Sequence, residues 1–299
     1  MNHPPHHDVA PADQSEAAGR CYRSDPARPE RLLRIDKPEA DPVDDASGAN
    51  THAAADLTAA AVHGAFRAFV LDPHYTCVGA KSAVNSGSYR LGVYGELGGA
   101  DATRNLAADL FRFTQAADEI DAAFATFVAV FESPRETSEQ AFERLLWGQL
   151  QHLHDVDVAL HRAWDPTVSS DPANTHFSFS FGELAFFIVG LHPNAARMSR
   201  RFAWPTLVFN PHQQFERLRA EGKWGRMQEV IREKEVQLQG NINPVLRDFG
   251  DESEAKQYSG RAVDKDWQPP FHPTPEDNKN GNASKCPFHR VLRALGRSK

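Results

Sequence analysis

Three stretches of this chain place chemically capable side chains at telling spacings. In the first, Ser138 to Trp164, the residues Phe142, Leu146, Leu150, Leu153 and Leu160 recur at helical spacing and form one apolar stripe. Asp157 falls within that stripe, with His154 and His161 along its edge. A carboxylate on a core-facing stripe is costly unless it is paired. His154 and Asp157, three residues apart, can meet on one helical face. Two readings fit: an imidazole ligand or base oriented by its carboxylate, or a buried His–Asp pair that only fixes the helix.

The second stretch is GLHPNAARMSRRF, residues 190–202. His192 is the first residue past an apolar run that reads as a strand, a place where rigid elements present functional side chains. Arg197, Arg200 and Arg201 follow closely enough for two or three to face one side, and guanidinium groups match carboxylates bidentately. The alternative is a solvated cationic run. The third stretch, INPVLRDFGDESEAKQYSGR at 242–261, holds Asn243, Asp248, Glu252, Glu254, Gln257, Tyr258, Ser259 and Arg261 among Asn-Pro, Phe-Gly and Ser-Gly turn signals. It reads as an ordered acidic loop, which suits a cationic substrate, or as a solvated one. His176 and His212 also stand at strand edges, where a lone histidine is ordinarily structural.

The elements that carry these residues follow from periodicity. Leu57–Leu71 and Thr103–Ile120 read as helices, the latter with Leu106, Leu110, Phe113 and Ala117 at helical spacing. The glycines between 77 and 99 recur too often for a regular element, so that segment reads as a loop around Cys77. TFVAVF (126–131) is a buried strand, and a long helix spans 138–164. HFSFSF (176–181), AFFIVGL (185–191) and PTLVFN (205–210) are further strands, followed by helices from about Gln213 and Trp224. Helices interspersed with short strands, without regular βαβ alternation, predict an α+β fold. Residues 1–57, rich in Pro, Asp, Ala and His, read as a disordered leader. From Pro273 onward a polar linker leads into a basic amphipathic tail, so the domain is 58–272.

Composition narrows the class of function. The 299 residues carry a net charge of −7, which argues against wholesale binding to nucleic-acid phosphates. No apolar run approaches the ~20 residues that span a bilayer, and the N-terminus lacks the features of a secretory signal. Cys21, Cys77 and Cys286 are too scattered for a disulfide framework, so a reducing, cytoplasmic setting is expected. There is no GxGxxG, GxxxxGK[ST], HExxH or GxSxG string, which disfavours nucleotide hydrolysis, zincin proteolysis and α/β-hydrolase chemistry.

The strings LLWGQLQHLHDVD, FSFSFGELAFFIVGLHPNAARMSRRF, PTLVFNPHQQFERLR and LQGNINPVLRDFGDESEAKQYSGR closely resemble the YqcI/YcgG family, over roughly residues 60–272. Where family members often read Trp-x-Cys-Pro-Phe, this chain has Trp267 followed by QPPF, with Pro269 at the cysteine position; a CPF string occurs later, at Cys286. The resemblance implies a haem protein similar to haem-dependent N-oxygenases of guanidino compounds, using O2 and an external electron donor on arginine or a relative. A b-type haem needs an axial ligand and cations for its propionates. His192 with Arg197, Arg200 and Arg201 is the first candidate set. His154 oriented by Asp157 is a competing axial ligand, and Cys77 is a third. Asp248, Glu252 and Glu254 are candidates for binding the guanidinium. Two other readings stay open: a haem sensor or carrier without turnover, and non-haem iron held by His154, Asp157 and a distant histidine.

Overall fold

A computed structural model describes residues 46–116, 124–243 and 249–274. At its centre lie five strands, β1 (Tyr89–Glu96), β2 (Thr126–Ser133), β3 (Phe179–Phe181), β4 (Leu184–Leu191) and β5 (Thr206–Pro211), in the spatial order β1-β2-β5-β4-β3. β1 and β2 run parallel, and the chain between them forms helix α3 (Ala100–Ala116). The other three pairings are antiparallel. Among the described residues the remaining α-helices are α1 (Ala46–Leu71), α2 (Val78–Ser86), α4 (Glu139–Ala159), α5 (His212–Ala220), α6 (Trp224–Gln239) and α7 (Ala255–Tyr258), with one 3-10 turn at Met198–Arg200. The class is α+β, as the element pattern implies. Among the described residues no helix is long and apolar enough to cross a membrane.

Side-chain parity along the strands sorts the core into two. On β2, Phe127, Ala129 and Phe131 join Phe186 and Ile188 of β4 and Leu207 and Phe209 of β5 on one face. There they pack against Leu106, Leu110 and Phe113 of α3 and against Phe142, Leu146, Leu150 and Leu153 of α4. Val128 and Val130 point the other way, toward Val62, Phe66 and Val70 of α1. Burial on both faces explains why TFVAVF is a continuous apolar run rather than an alternating one. The stripe on α4 enters the first core as its periodicity implies, from Phe142 to Leu153, while Leu160 packs at the edge.

The glycine-rich segment departs from the loop expected of it. Cys77 caps α2, and Gly87 ends that helix in the left-handed region at φ 67°, where glycine has no steric cost. β1 then absorbs Gly92 and Gly95 into a strand whose Tyr, Leu and Val positions supply the β preference. Glycine frequency was misleading because the residues sit at the cap and within the strand. At the N-terminal end α1 begins at Ala46, inside the expected leader, over an alanine-rich run of high helix propensity. The long helix stops at Ala159, and His161 adopts φ 56° beyond it, so His161 does not share the α4 stripe. Only the last three residues of HFSFSF pair as a strand. Asp248, Cys21, Cys286 and the tail from 275 lie outside the described residues.

Gly190 marks the tightest crossing. A Cβ there would lie 2.8 Å from Leu146 Cδ1, 2.8 Å from Phe142 Cε1 and 2.9 Å from the Tyr258 carbonyl oxygen, so β4, α4 and α7 meet where only glycine fits. Replacing Gly190 with Ala is expected to cost ~1–3 kcal/mol by overpacking, read as a lower urea midpoint at unchanged slope. A neutral outcome would mean that the crossing is looser than described.

Candidate functional site

The second face of the sheet is covered by α1 over β1 and β2, but a cavity of about 260 Å³ opens beneath its β4–β5 half. Phe187, Val189 and Leu191 of β4 and Val208 and Asn210 of β5 form its floor, and its walls come from α1, α2, α5 and α6. Most of this lining is apolar, and the polar groups gather in two clusters.

The first cluster surrounds Cys77. Its Sγ lies at the N-terminus of α2 and accepts from the Ala80 N–H at 3.4 Å. Burial pushes the thiol up from its ordinary value, while the Ala80 and Gly79 N–H groups and the Arg200 guanidinium pull it down. Arg200 is held by carbonyl oxygens, donating to Gly190 at 3.0 Å and to Gln257 at 3.3 Å. Arg197 pairs with Glu235 at 2.9 Å, and Thr76 donates to the other oxygen of Glu235 at 2.8 Å. Arg197 also donates to Asn241, yet its buried Nε has no partner. Tyr75 lines the same end, its phenol kept protonated by burial.

At the other cluster, α5 and α6 meet the 249–258 segment. His212, 4 % exposed, packs on Phe249 with ring centroids 4.4 Å apart, and its Nε2 lies 3.2 Å from Glu216. Burial lowers its pKa. Glu254 is buried with Oε1 accepting from Ser178 at 2.7 Å and from Tyr258 at 2.6 Å; burial pushes its carboxyl up to about 8. Arg219 acts electrostatically on both His212 and Glu254. Three buried polar atoms lack partners here: His212 Nδ1, Gln214 Oε1 and Trp224 Nε1.

The residues singled out in the sequence divide between this cavity and two other places. Cys77, Arg197, Arg200 and Glu254 line it. His192 does not. It shares the parity of Ile188 and Gly190 and therefore turns to the α4 face, stacked on Phe142 at 4.4 Å, while Val189 and Leu191 turn to the cavity. Arg197 and Arg200 thus line the cavity and His192 does not, although the His192 N–H donates to the Arg200 carbonyl at 3.0 Å and, after burial, the Arg200 guanidinium helps lower the His192 pKa. Arg201 donates to the Ala195 carbonyl and is exposed. Glu252 lies 3.7 Å from Lys256 and is no part of the lining.

His154 and Asp157 belong to a separate small pocket. The Thr274 N–H donates to His154 Nε2 at 2.9 Å, and Asp157 accepts from the Gly182 N–H at 2.6 Å, 3.7 Å from Arg162. Burial raises Asp157 to about 7. These contacts tie α4 to the β3–β4 turn and to the end of the domain. Among the described residues no three His, Cys, Asp or Glu side chains gather in a way that could hold a metal ion.

Nothing in the sequence singles out Glu235, Gln214 or Trp224, and His212 reads there as a structural histidine. Of these, His212 carried a signal. It follows β5 at the parity of Val208 and Asn210, so the strand that aims those residues at the cavity aims His212 there too. Glu235 sits in a charge-rich helix, and nothing in its spacing sets it apart.

Glu254 titrates with a definite sign. Its folded pKa of about 8 lies above the ordinary 4.5, so the stability it lends is full below pH ~4.5 and is lost as pH rises toward 8. Glu254→Gln is expected to flatten that decline by more than ~1 kcal/mol in urea titrations at successive pH values. An unchanged slope would mean that Glu254 ionises normally.

No curated protein and no solved structure matches the chain. The family model described as YqcI/YcgG family matches residues 66–272, a span that includes both polar clusters and everything between them. The chain belongs to the YqcI/YcgG family.

Proposed function

We propose that the cavity holds a b-type haem and that the protein is a haem-dependent oxygenase, hydroxylating a guanidino nitrogen of arginine or a related small molecule with O2 and an external reductant. One observation carries this reading: of the three axial ligands considered, Cys77 alone lines the large apolar cavity, and Arg197 and Arg200 line it with Cys77. The residues fit the group chemically. A thiol at a helix N-terminus accepts a backbone N–H, which favours the thiolate that iron would bind against the burial that keeps the thiol protonated. Arg197, which lines the cavity, would offer its guanidinium to a propionate.

When bound, haem supplies the redox chemistry for oxygen activation, and a thiolate ligand would push electron density toward O–O cleavage. The chain's own tasks are positional. Arg200, fixed by the carbonyls of Gly190 and Gln257, holds positive charge beside Cys77. Apolar side chains of β4 and β5 exclude water, which strengthens every charge interaction in the cavity. Glu254 presents a buried carboxyl whose Oε1 is fixed by Ser178 and Tyr258. An arriving guanidinium offsets the burial that keeps this carboxyl neutral, so Glu254 ionises and binds it as a charged partner.

The purified full-length protein, supplied with haemin, is expected to show a Soret band and, after dithionite and CO, a thiolate-type spectrum. Cys77→Ser should lose that spectrum and weaken haem binding at least ~10-fold, whereas His192→Ala and His154→Ala should retain it. Absence of a Soret band in the wild type would overturn the haem reading. A Soret band without reductant- and O2-dependent consumption of arginine would make the protein a haem binder without turnover.

A further inference from the structure

Helix α6 stands as a wall of the cavity but is packed far more lightly than the helices of the core. Trp224, Met227, Gln228, Ile231, Arg232 and Glu235 recur at helical spacing and line the cavity, so one face of the helix borders it along its length. The opposite face, with Arg226, Glu229, Glu233 and Gln237, is exposed. Of its 16 residues only Glu235 is buried, while Trp224, Met227 and Ile231 stay partly exposed. By contrast α4 buries Phe142, Leu146, Trp147, Leu150 and Leu153. A segment that buries so little apolar surface opens locally at a small free-energy cost.

The anchors of α6 sit at its two ends. Toward the C-terminus Glu235 pairs with Arg197 at 2.9 Å and accepts from Thr76 at 2.8 Å. One turn further on, Gln239 donates to the Ala196 carbonyl and accepts from the Met198 N–H, each at 2.8 Å. At the N-terminal end Trp224 packs edge-to-face on Phe215, with the Arg219 guanidinium over its ring. The helix is flanked by Gly222 and Gly240, at φ 68° and 78°, and a Cβ at either would meet no atom within 4 Å. Backbone that already sits in the left-handed region, with open space around it, can absorb the rotation of a hinge.

We infer that α6 is the lid of the cavity, turning about Gly222 and Gly240 and latched at its C-terminal end by Glu235 and Gln239. Releasing that end uncovers Cys77, because Thr76, the residue before it, is itself a partner of Glu235. Glu235 is the stronger half of the latch, since removing one member of a buried ion pair strands the other. Closed, the lid keeps bulk water from the apolar floor; open, it admits the occupant. The inference concerns access and holds whether or not that occupant is haem.

The thiol of Cys77 reports the opening. In the full-length protein, before haemin is supplied, N-ethylmaleimide alkylates it at a rate that peptide mass spectrometry separates from those of Cys21 and Cys286. When opening is fast relative to alkylation, that rate follows the open population. Glu235→Gln is expected to raise it at least ~10-fold. Burial keeps the thiol protonated and the Glu235 carboxylate adds to that effect, so part of this rise is chemical rather than steric. Gln239→Ala decides the matter: it leaves every charge near Cys77 in place, removes two hydrogen bonds from the latch and should raise the rate at least ~5-fold. Amide exchange in α4 should stay at its wild-type rate in Gln239→Ala, which separates lid opening from loss of the fold. A Gln239→Ala rate within ~2-fold of wild type, or a rise matched by equally faster exchange throughout α4, would overturn the inference. Neither result depends on a Soret band, which bears on the cofactor alone.

Discussion

The fold depends on covering both faces of one apolar sheet, and the two faces are covered unequally. On the first face α3 and α4 fill the space completely, with Leu106, Leu110, Leu146 and Leu150 wholly buried against Phe127 and Phe209. On the second, α1 covers β1 and β2 while β4 and β5 turn Val189, Leu191 and Val208 into a cavity. Exposed apolar surface costs ~25 cal/mol per Å², so an apolar floor of this kind is favourable only with an apolar occupant or an enclosing wall. The same parity rule that packs α4 creates the site on the opposite side. Fold and candidate function are two consequences of one strand geometry.

Charges placed inside such a cavity must be held by the protein itself, and the contacts show how. Arg200 takes backbone carbonyls, Arg197 and Glu235 pair with each other, and Glu254 is kept neutral by burial and fixed by Ser178 and Tyr258. Leaving any of these partners out would strand a buried charge, which is far more costly than never having the pair. The pairing consumes the carboxylate of Glu235 and the carbonyl-facing edge of Arg200. What remains in the lining for a ligand is the thiol of Cys77, with Arg197 and Arg200 beside it. The same lining also holds the buried carboxyl of Glu254. An oxygenase of guanidino compounds would use both.

Much of the fold was legible because period is a local property. TFVAVF, PTLVFN and the stripe from Phe142 to Leu153 declare their elements by spacing alone, and the α+β class follows. The segment from 77 to 99 was not legible as helix and strand, because a glycine count cannot separate a cap such as Gly87 from a flexible loop. The site was legible by residue type but not by direction. His192 and His212 both follow a strand, and which one faces the cavity depends on which face α4 occupies, a tertiary fact. Cys77 and Glu254 were found by chemistry, and Arg197 and Arg200 by their spacing. Glu235, whose partners Thr76 and Arg197 are remote in sequence, left no local trace.

On the proposed reading, Cys77 is the protein ligand of an iron centre in this cavity. The most direct measurement is a crystal of the purified full-length protein with anomalous data on either side of the iron edge, which locates iron without reference to activity or spectrum. The expected result is one strong iron peak between β4, β5 and α2, within bonding distance of Cys77 Sγ. A peak beside His154 or His192, or crystals of active protein with no iron in the cavity, would contradict it.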